Sequence, residues 1–528
     1  MKLADCICQM YESMKKKFLV LTILMCTFTT TLLNGCGKKQ NATPDNETLQ
    51  DTETVTDQTA LEEQADSGEE GISYTWQDIT VTLPQEWEDS YEIVEGDDGF
   101  SIYQKSSYDE NQGLGFLCGF THIGEFRNGA LGETLIAYAD DGSCYYWIEP
   151  TDLAYDENDA SSQKEYEEMA EMVPQIVATV KISGDGVHTN ADEYVLPLSD
   201  KKPLTSEMLD NLNDNELMIA RNEIYARHGR TFQNEYLQSY FNKCSWYQGT
   251  TMPEEFDESV FSAMEKDNLS MLEAKEEAYE SEHPYPKKYE YGTVIEEDLN
   301  ADGNVEQIFC SLMEQKDGNY VPIVTINGRA FDISKDCQLI SPVTDCFYVT
   351  DITAADGELE LAFLDYGPSY DPETYFFRFD GDMEFVGSVD GFPFKDQNDG
   401  INGFVNDGQV IGRIRTDLLE TAYLNGYWLL NEETHALEYQ EQEEYDYIST
   451  TAHQLYEKLP VRVTMDENAP EVVMQKQAEV YFLKSDLKEW ILVKGKDGTK
   501  GYMQVKNGKV VELGKSANNV FSDLNYFD

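Results

Sequence analysis

What this chain has little of narrows its chemistry before any motif is considered. Basic residues are scarce: 38 Lys and Arg stand against 101 Asp and Glu, a net charge of -63. A surface of that sign repels phosphate backbones and anionic headgroups, which argues against nucleic acid as a partner. Cysteine is sparse, and no CxxC spacing occurs among the ten cysteines. Zinc-ribbon and dithiol redox motifs are therefore disfavoured, as is a disulfide framework. Cys118, Cys144, Cys244, Cys310, Cys337 and Cys346 are spread over the body of the chain. Cys337 and Cys346 are near enough in sequence to pair locally, or to remain buried thiols. No long apolar run follows residue 33. The 528 residues are enough for about three or four domains of roughly 100–200 residues each, and they read as a soluble body on a tether. No Asp-His-Ser ordering stands out, and no catalytic residue is assigned.

The tether is written in residues 14–39. Lys15, Lys16 and Lys17 precede an apolar, threonine-rich stretch over residues 18–33, which Leu33-Asn34-Gly35-Cys36 closes. The pattern resembles a bacterial lipoprotein signal with its lipobox. That resemblance implies a signal peptide over residues 1–35, cleavage before Cys36 and a diacylglyceryl group on its sulfur. The protein would then be lipid-anchored at the extracellular face of the cell membrane, because two acyl chains hold a protein stably where one is marginal. Acidic Asp5 and Glu12 stand ahead of the lysines and leave Met14 as an alternative start. Residues 36–71 are rich in Asp, Glu, Thr, Gln and Asn with few large apolar residues. Such a segment cannot bury enough surface to fold and reads as an acidic spacer.

Residues 72–190 read as an α+β domain. Strands are expected over residues 74–83, 99–104, 113–121, 134–139 and 144–149, with Asp98-Gly99 and Asp141-Gly142 supplying turns. One helix over residues 164–178 and a short strand over 179–183 complete it. The segment, with its Pro84-Gln85-Glu86-Trp87, resembles the small sandwich of the PsbP and Mog1 type, whose bacterial relatives are accessory or binding modules.

Residues 191–283 form a small all-α module. Asn213 is placed as an N-cap with Glu216 as its capping-box partner, and Leu212 and Leu217 as a hydrophobic staple. Gly229 suits the left-handed position after the helix. Leu217, Ala220, Arg221, Ile224 and His228 share a helical face, and Glu223 and Arg227 have i,i+4 spacing. A second helix is expected over residues 258–278. Tyr225-Ala226-Arg227-His228-Gly229 resembles the motif that names the YARHG domain, a bacterial extracellular module with no established reaction. Arg221, Glu223, Trp246 and Tyr247 fit its surroundings. His228 beside Arg227 and Arg230 invites a catalytic reading. A histidine at a helix C-terminus, bound to the last carbonyls, is the structural one, and it is preferred because no nucleophile stands near. Tyr225, Trp246 and Tyr247 read as core rather than as a platform for sugars.

Residues 284–447 read as an all-β repeat domain. Asp298, Asn300, Asp302 and Glu306 place oxygen atoms at alternate positions around Gly303, a pattern suited to calcium or to a solvated turn. Phe309 occupies the place of the last EF-hand ligand, so the loop is no EF-hand. It resembles the aspartate-rich loops of FG-GAP or VCBS-type repeats, which implies calcium as a cofactor. Asp356-Gly357 and Glu360 repeat the pattern about fifty residues on with most carboxylates missing. Residues 448–528 read as a helix over 449–459 followed by strands over 478–483, 489–494, 501–505 and 509–513. They resemble a bacterial SH3-like barrel, which implies a cell-wall ligand touched by Trp490 and Tyr502.

Taken together the chain reads as a multidomain, lipid-anchored surface protein, leaning non-enzymatic, that binds a cell-envelope or extracellular ligand. Two alternatives stand beside it: an envelope hydrolase or modifying enzyme using the YARHG helix, and an accessory or regulatory lipoprotein of a membrane complex.

Overall fold

Short strands separated by Gly, Asn and Asp turns build most of the molecule, and every strand pair named below is antiparallel. The computed structural model describes residues 71–127, 132–151, 155, 159–368, 371–397 and 401–526. These fall within one compact unit, Glu69–Asp528. The lipobox, Cys36 and the acidic spacer lie outside the described residues. No described helix is long and apolar enough to cross a membrane.

The first segment has α+β architecture. A six-stranded sheet runs in the order Tyr91–Glu95, Gly99–Gln104, Phe116–Ile123, Cys144–Ile148, Glu133–Ala139, Val187–His188. A smaller sheet holds Ile72–Trp76, Ile79–Leu83 and Lys181–Ile182. The single strand expected over 74–83 is thus a hairpin, turned at Gln77 with φ 49°. The expected helix over 164–178 is two, Ala160–Ala170 and Val173–Ala178. Pro174 decides this, since it has no N–H to continue the first helix and sits in the first turn of the second. Tyr166, Met169 and Ile176 of these helices pack on Ile79, Val81, Ile102 and Phe120 of the sheets.

Residues 284–447 form three stacked β layers. The middle one has five strands in the order Lys287–Glu290, Cys346–Thr350, Glu360–Asp365, Glu373–Phe379, Met383–Asp390. Phe347, Leu361, Phe363 and Phe377 on one face meet Ile308, Cys310, Val324 and Ile326 of a four-stranded sheet. Tyr348, Ala362, Leu364 and Phe376 on the other meet Val410, Trp428 and Leu430 of a three-stranded sheet. Burial on both faces explains why Cys346–Thr350 and Glu360–Asp365 are buried at every position instead of alternating.

The repeat seen around Asp302 and Asp356 has a structural counterpart. Gly303 and Gly357 have φ of 83° and 73°, and each is followed three residues later by a buried glutamate. Glu306 accepts the Leu299 N–H at 3.1 Å, and Glu360 accepts the Ile352 N–H at 3.2 Å and the Thr350 hydroxyl at 3.1 Å. Burial pushes the Glu360 carboxyl up to about 8. Both of its bonds use the same oxygen, Oε2, which a glutamine amide oxygen can replace. Glu360→Gln is therefore expected to keep stability within about 1 kcal/mol at neutral pH and to flatten its pH dependence. The raised pKa means stability that is full below the unfolded value and falls as pH rises toward 8, which urea midpoints across pH 4.5 to 8.5 would read.

The C-terminal segment is a nine-stranded sheet with the order Tyr445–Asp446, Glu479–Ser485, Trp490–Gly495, Lys500–Lys506, Leu459–Arg462, Glu471–Met474 along its main path. The helix expected over 449–459 is absent. His453–Gln454 is a short strand paired with Glu479 and Val480, and the buried positions His453 and Leu455 alternate with exposed ones. His453 stacks on Phe482 at 4.7 Å and its Nδ1 faces the Ser522 carbonyl at 2.8 Å. Tertiary pairing with the C-terminal sheet thus overrides a weak local helical preference. All six described cysteines are free and buried, so Cys337 and Cys346 do not pair.

Candidate functional site

The YARHG motif lies at the end of the helix Asp214–Arg227, which starts in the capping box expected of Asn213 and Glu216. Leu217, Met218, Ile219, Ala220, Asn222, Glu223, Ile224 and Ala226 are all buried, so the helix is enclosed on most sides, as a central helix must be. Around it pack Glu235–Asn242 and Ala263–Glu282. The latter starts five residues later than expected, because Ser262 and Glu265 form a second capping box. Residues 258–260 are a separate 3-10 turn.

Each motif residue holds a different part of the module. The Tyr225 ring meets Phe256 and Phe261 at 5.7 and 5.0 Å, and its hydroxyl reaches Glu258 at 3.3 Å. Ala226 is 1 % exposed and packs within the cluster of Leu237 and Phe241. Arg227 donates to the carbonyls of Leu196 and Pro197 at 3.3 and 3.1 Å, and lies 3.2 Å from Asp200. Its guanidinium also sits 4.4 Å from the centre of the Tyr194 ring, which stacks on Trp246 at 4.7 Å. His228 Nε2 lies 2.7 Å from Glu265 Oε1, while Glu265 Oε2 accepts the Ser262 N–H. Gly229 has φ 79°, and a Cβ there would stand 2.7 Å from Thr250 Oγ1.

The i,i+4 pair expected of Glu223 and Arg227 is replaced by a division of labour on one strand of backbone. Glu223 is fully buried and accepts the N–H groups of Val195 and Leu196 at 2.5 and 3.1 Å, while Arg227 takes the carbonyls just beyond them. Burial pushes the Glu223 carboxyl up to about 7, against the opposing pull of Arg227 and the two N–H groups. Arg221 makes its own pair, with Glu276 of the long helix at 2.9 Å. Tyr247 is buried with its hydroxyl on the Arg230 carbonyl at 2.9 Å.

The module also touches all three β bodies. Toward the first, Tyr138 meets Tyr194 edge-on at 5.9 Å and Lys202 donates to the Gly142 carbonyl at 2.8 Å. Toward the second, Asn215 and Asn402 exchange two hydrogen bonds, at 2.7 and 2.9 Å. Toward the third, Lys494 pairs with Glu193, both deeply buried, and Lys496 donates to the carbonyls of Asn242 and Cys244 at 2.8 and 2.7 Å. The last contact sets a cation at a helix C-terminus, where the dipole favours it. Sequence reasoning missed Glu193 and Lys494. The one available signal was a lysine directly after the apolar run Trp490-Ile491-Leu492-Val493.

The remaining sequence candidates lie apart from the motif. In the Asp298 loop the side-chain oxygens close the turn on its own backbone: Asp298 accepts the N–H groups of Asp302 and Gly303 at 3.2 and 2.9 Å, Asn300 faces the Asp302 N–H at 3.4 Å, and Asp302 accepts that of Asn304 at 2.7 Å. Glu306 points inward, as described. Among the described residues no three His, Cys, Asp or Glu side chains are grouped to hold a metal ion. Trp490 is 7 % exposed, too little for a ligand platform. Tyr502 is half-buried, its phenol pushed above the usual range first by burial and then by the Glu444 carboxylate.

No curated protein and no solved structure matches this chain. Residues 192–277 match the family model of the YARHG domain, and the helical module at the centre of these contacts is a YARHG domain.

Proposed function

We propose that the protein is a lipid-anchored, extracellular binding protein of the bacterial cell envelope. Its YARHG domain works as a non-catalytic connector of β-rich modules. One observation carries this reading: the polar side chains of the motif are engaged inside the protein, with Glu223 and Arg227 on the 195–197 backbone and His228 on the capping glutamate Glu265. A general base must come within hydrogen-bond reach of the proton it abstracts from substrate, and the groups around His228 are a helix cap and the edge of Phe261. The sequence patterns read above as PsbP/Mog1-, FG-GAP/VCBS- and SH3-like would suit binding modules, as would a spacer that holds the body clear of the membrane.

The test is a binding screen of the delipidated protein against muropeptides, wall polymers and host glycans, with His228→Ala in parallel. A folded His228→Ala protein is expected to bind as the wild type does. A wild-type activity on wall fragments that is lost in His228→Ala would overturn the non-catalytic reading in favour of an envelope hydrolase.

A further inference from the structure

A cleft of about 450 Å³ opens where the end of the long YARHG helix meets the middle β layer. In a chain of net charge -63, its lining presents both signs together. On one side Lys395 holds the Asp214 carboxylate at 3.2 Å from both oxygens and reaches Glu280 Oε1 at 3.3 Å. On the other, Lys288 contacts Asp396 Oδ2 at 3.0 Å, and Asp396 Oδ1 accepts the Tyr348 hydroxyl at 2.6 Å. The lining between them includes Tyr285 and its flanking prolines.

The bonding capacity left over differs across the cleft. An ammonium has three donors. Those of Lys395 are taken up by Asp214 and Glu280, whereas Lys288, 41 % exposed, uses one and has two free for an anion. Glu280, 64 % exposed, keeps Oε2 for a cation.

We propose that this cleft binds a short zwitterionic peptide, its carboxylate on Lys288, its ammonium on Glu280 and its side chains over Tyr285. The proposal rests on the binding-protein reading and names the ligand class for one site. Such a peptide could come from wall cross-links or from free peptide, and the probes separate the two.

Calorimetric titration of the full chain would use the free-ended tetrapeptide Ala-Glu-Lys-Ala, the same peptide N-acetylated and C-amidated, and a muropeptide carrying a free-ended stem. The free-ended peptide is expected to bind, and Lys288→Ala and Glu280→Gln each to weaken it by about tenfold, as for the loss of one charge-assisted hydrogen bond. Both residues are exposed, and unchanged thermal midpoints would confirm folding. A muropeptide that binds tighter than the free peptide assigns the wall as source; equal affinity assigns free peptide. Equal binding of the capped peptide, binding unaffected by either substitution, or no binding of any of the three would overturn the proposal. Glycan or wall-polymer binding that persists in that case would leave the binding-protein reading standing.

Discussion

Lys494→Ala is expected to destabilise the protein by about 3–5 kcal/mol, because it leaves the Glu193 carboxylate buried without its cation. Glu193 and Lys494 have side chains only 2 % and 7 % exposed, and they join the YARHG domain to the C-terminal sheet. Glu193 also accepts the N–H and hydroxyl of Ser245 at 2.8 and 2.9 Å, so it cannot turn toward water without breaking those bonds. Urea unfolding followed by tryptophan fluorescence would measure the loss. The double variant Glu193→Gln/Lys494→Met should recover part of it, since the charge is gone and the amide oxygen can still accept from Ser245. A neutral Lys494→Ala would show that this junction does not depend on the pair.

Glu223→Gln is expected to cost about 1–3 kcal/mol at neutral pH, the penalty for leaving a buried donor unsatisfied. Glu223 uses a separate oxygen for each of Val195 and Leu196, and an amide has one. Its NH₂ would confront a backbone N–H, which distinguishes this site from Glu360, where one oxygen takes both bonds. The pH dependence has a definite sign. The Glu223 carboxyl is raised from 4.5 to about 7 by burial, so the folded state binds more protons between those values. Stability from this group is full below pH 4.5 and falls as pH rises through 7. The wild type should therefore lose stability over that interval more steeply than Glu223→Gln, and the difference between them should narrow. A constant difference from pH 4.5 to 8 would contradict the burial of this carboxyl.

Much of the YARHG domain was legible because its signals are local. Asn213 and Glu216 cap a helix through bonds three residues apart, and Gly229 ends it through a backbone conformation open to glycine. The hairpin turn at Asp141-Gly142 was equally readable. The errors cluster where long-range pairing decides. Residues 449–459 contain no strong helix signal and join the C-terminal sheet because Glu479 and Val480 offer a strand to pair with. Glu223 and Arg227 have the spacing of a surface ion pair, yet both sit against the 194–200 segment, whose position no helical periodicity reports.

By itself, then, the sequence determined the helix ends, the turns, the strand-rich composition and the YARHG module, all of which depend on contacts within a few residues. Its N-terminal pattern also supplies the proposed address. Only the tertiary structure decided that the motif's side chains are engaged within the domain and that Glu193, Lys202 and Asn215 meet the neighbouring segments. Burial is a property of the assembled layers, and it makes Glu193, Glu223 and Lys494 costly to leave unpaired, which commits Glu193 and Lys494 to joining two segments and Glu223 to holding the 195–196 backbone of its own domain.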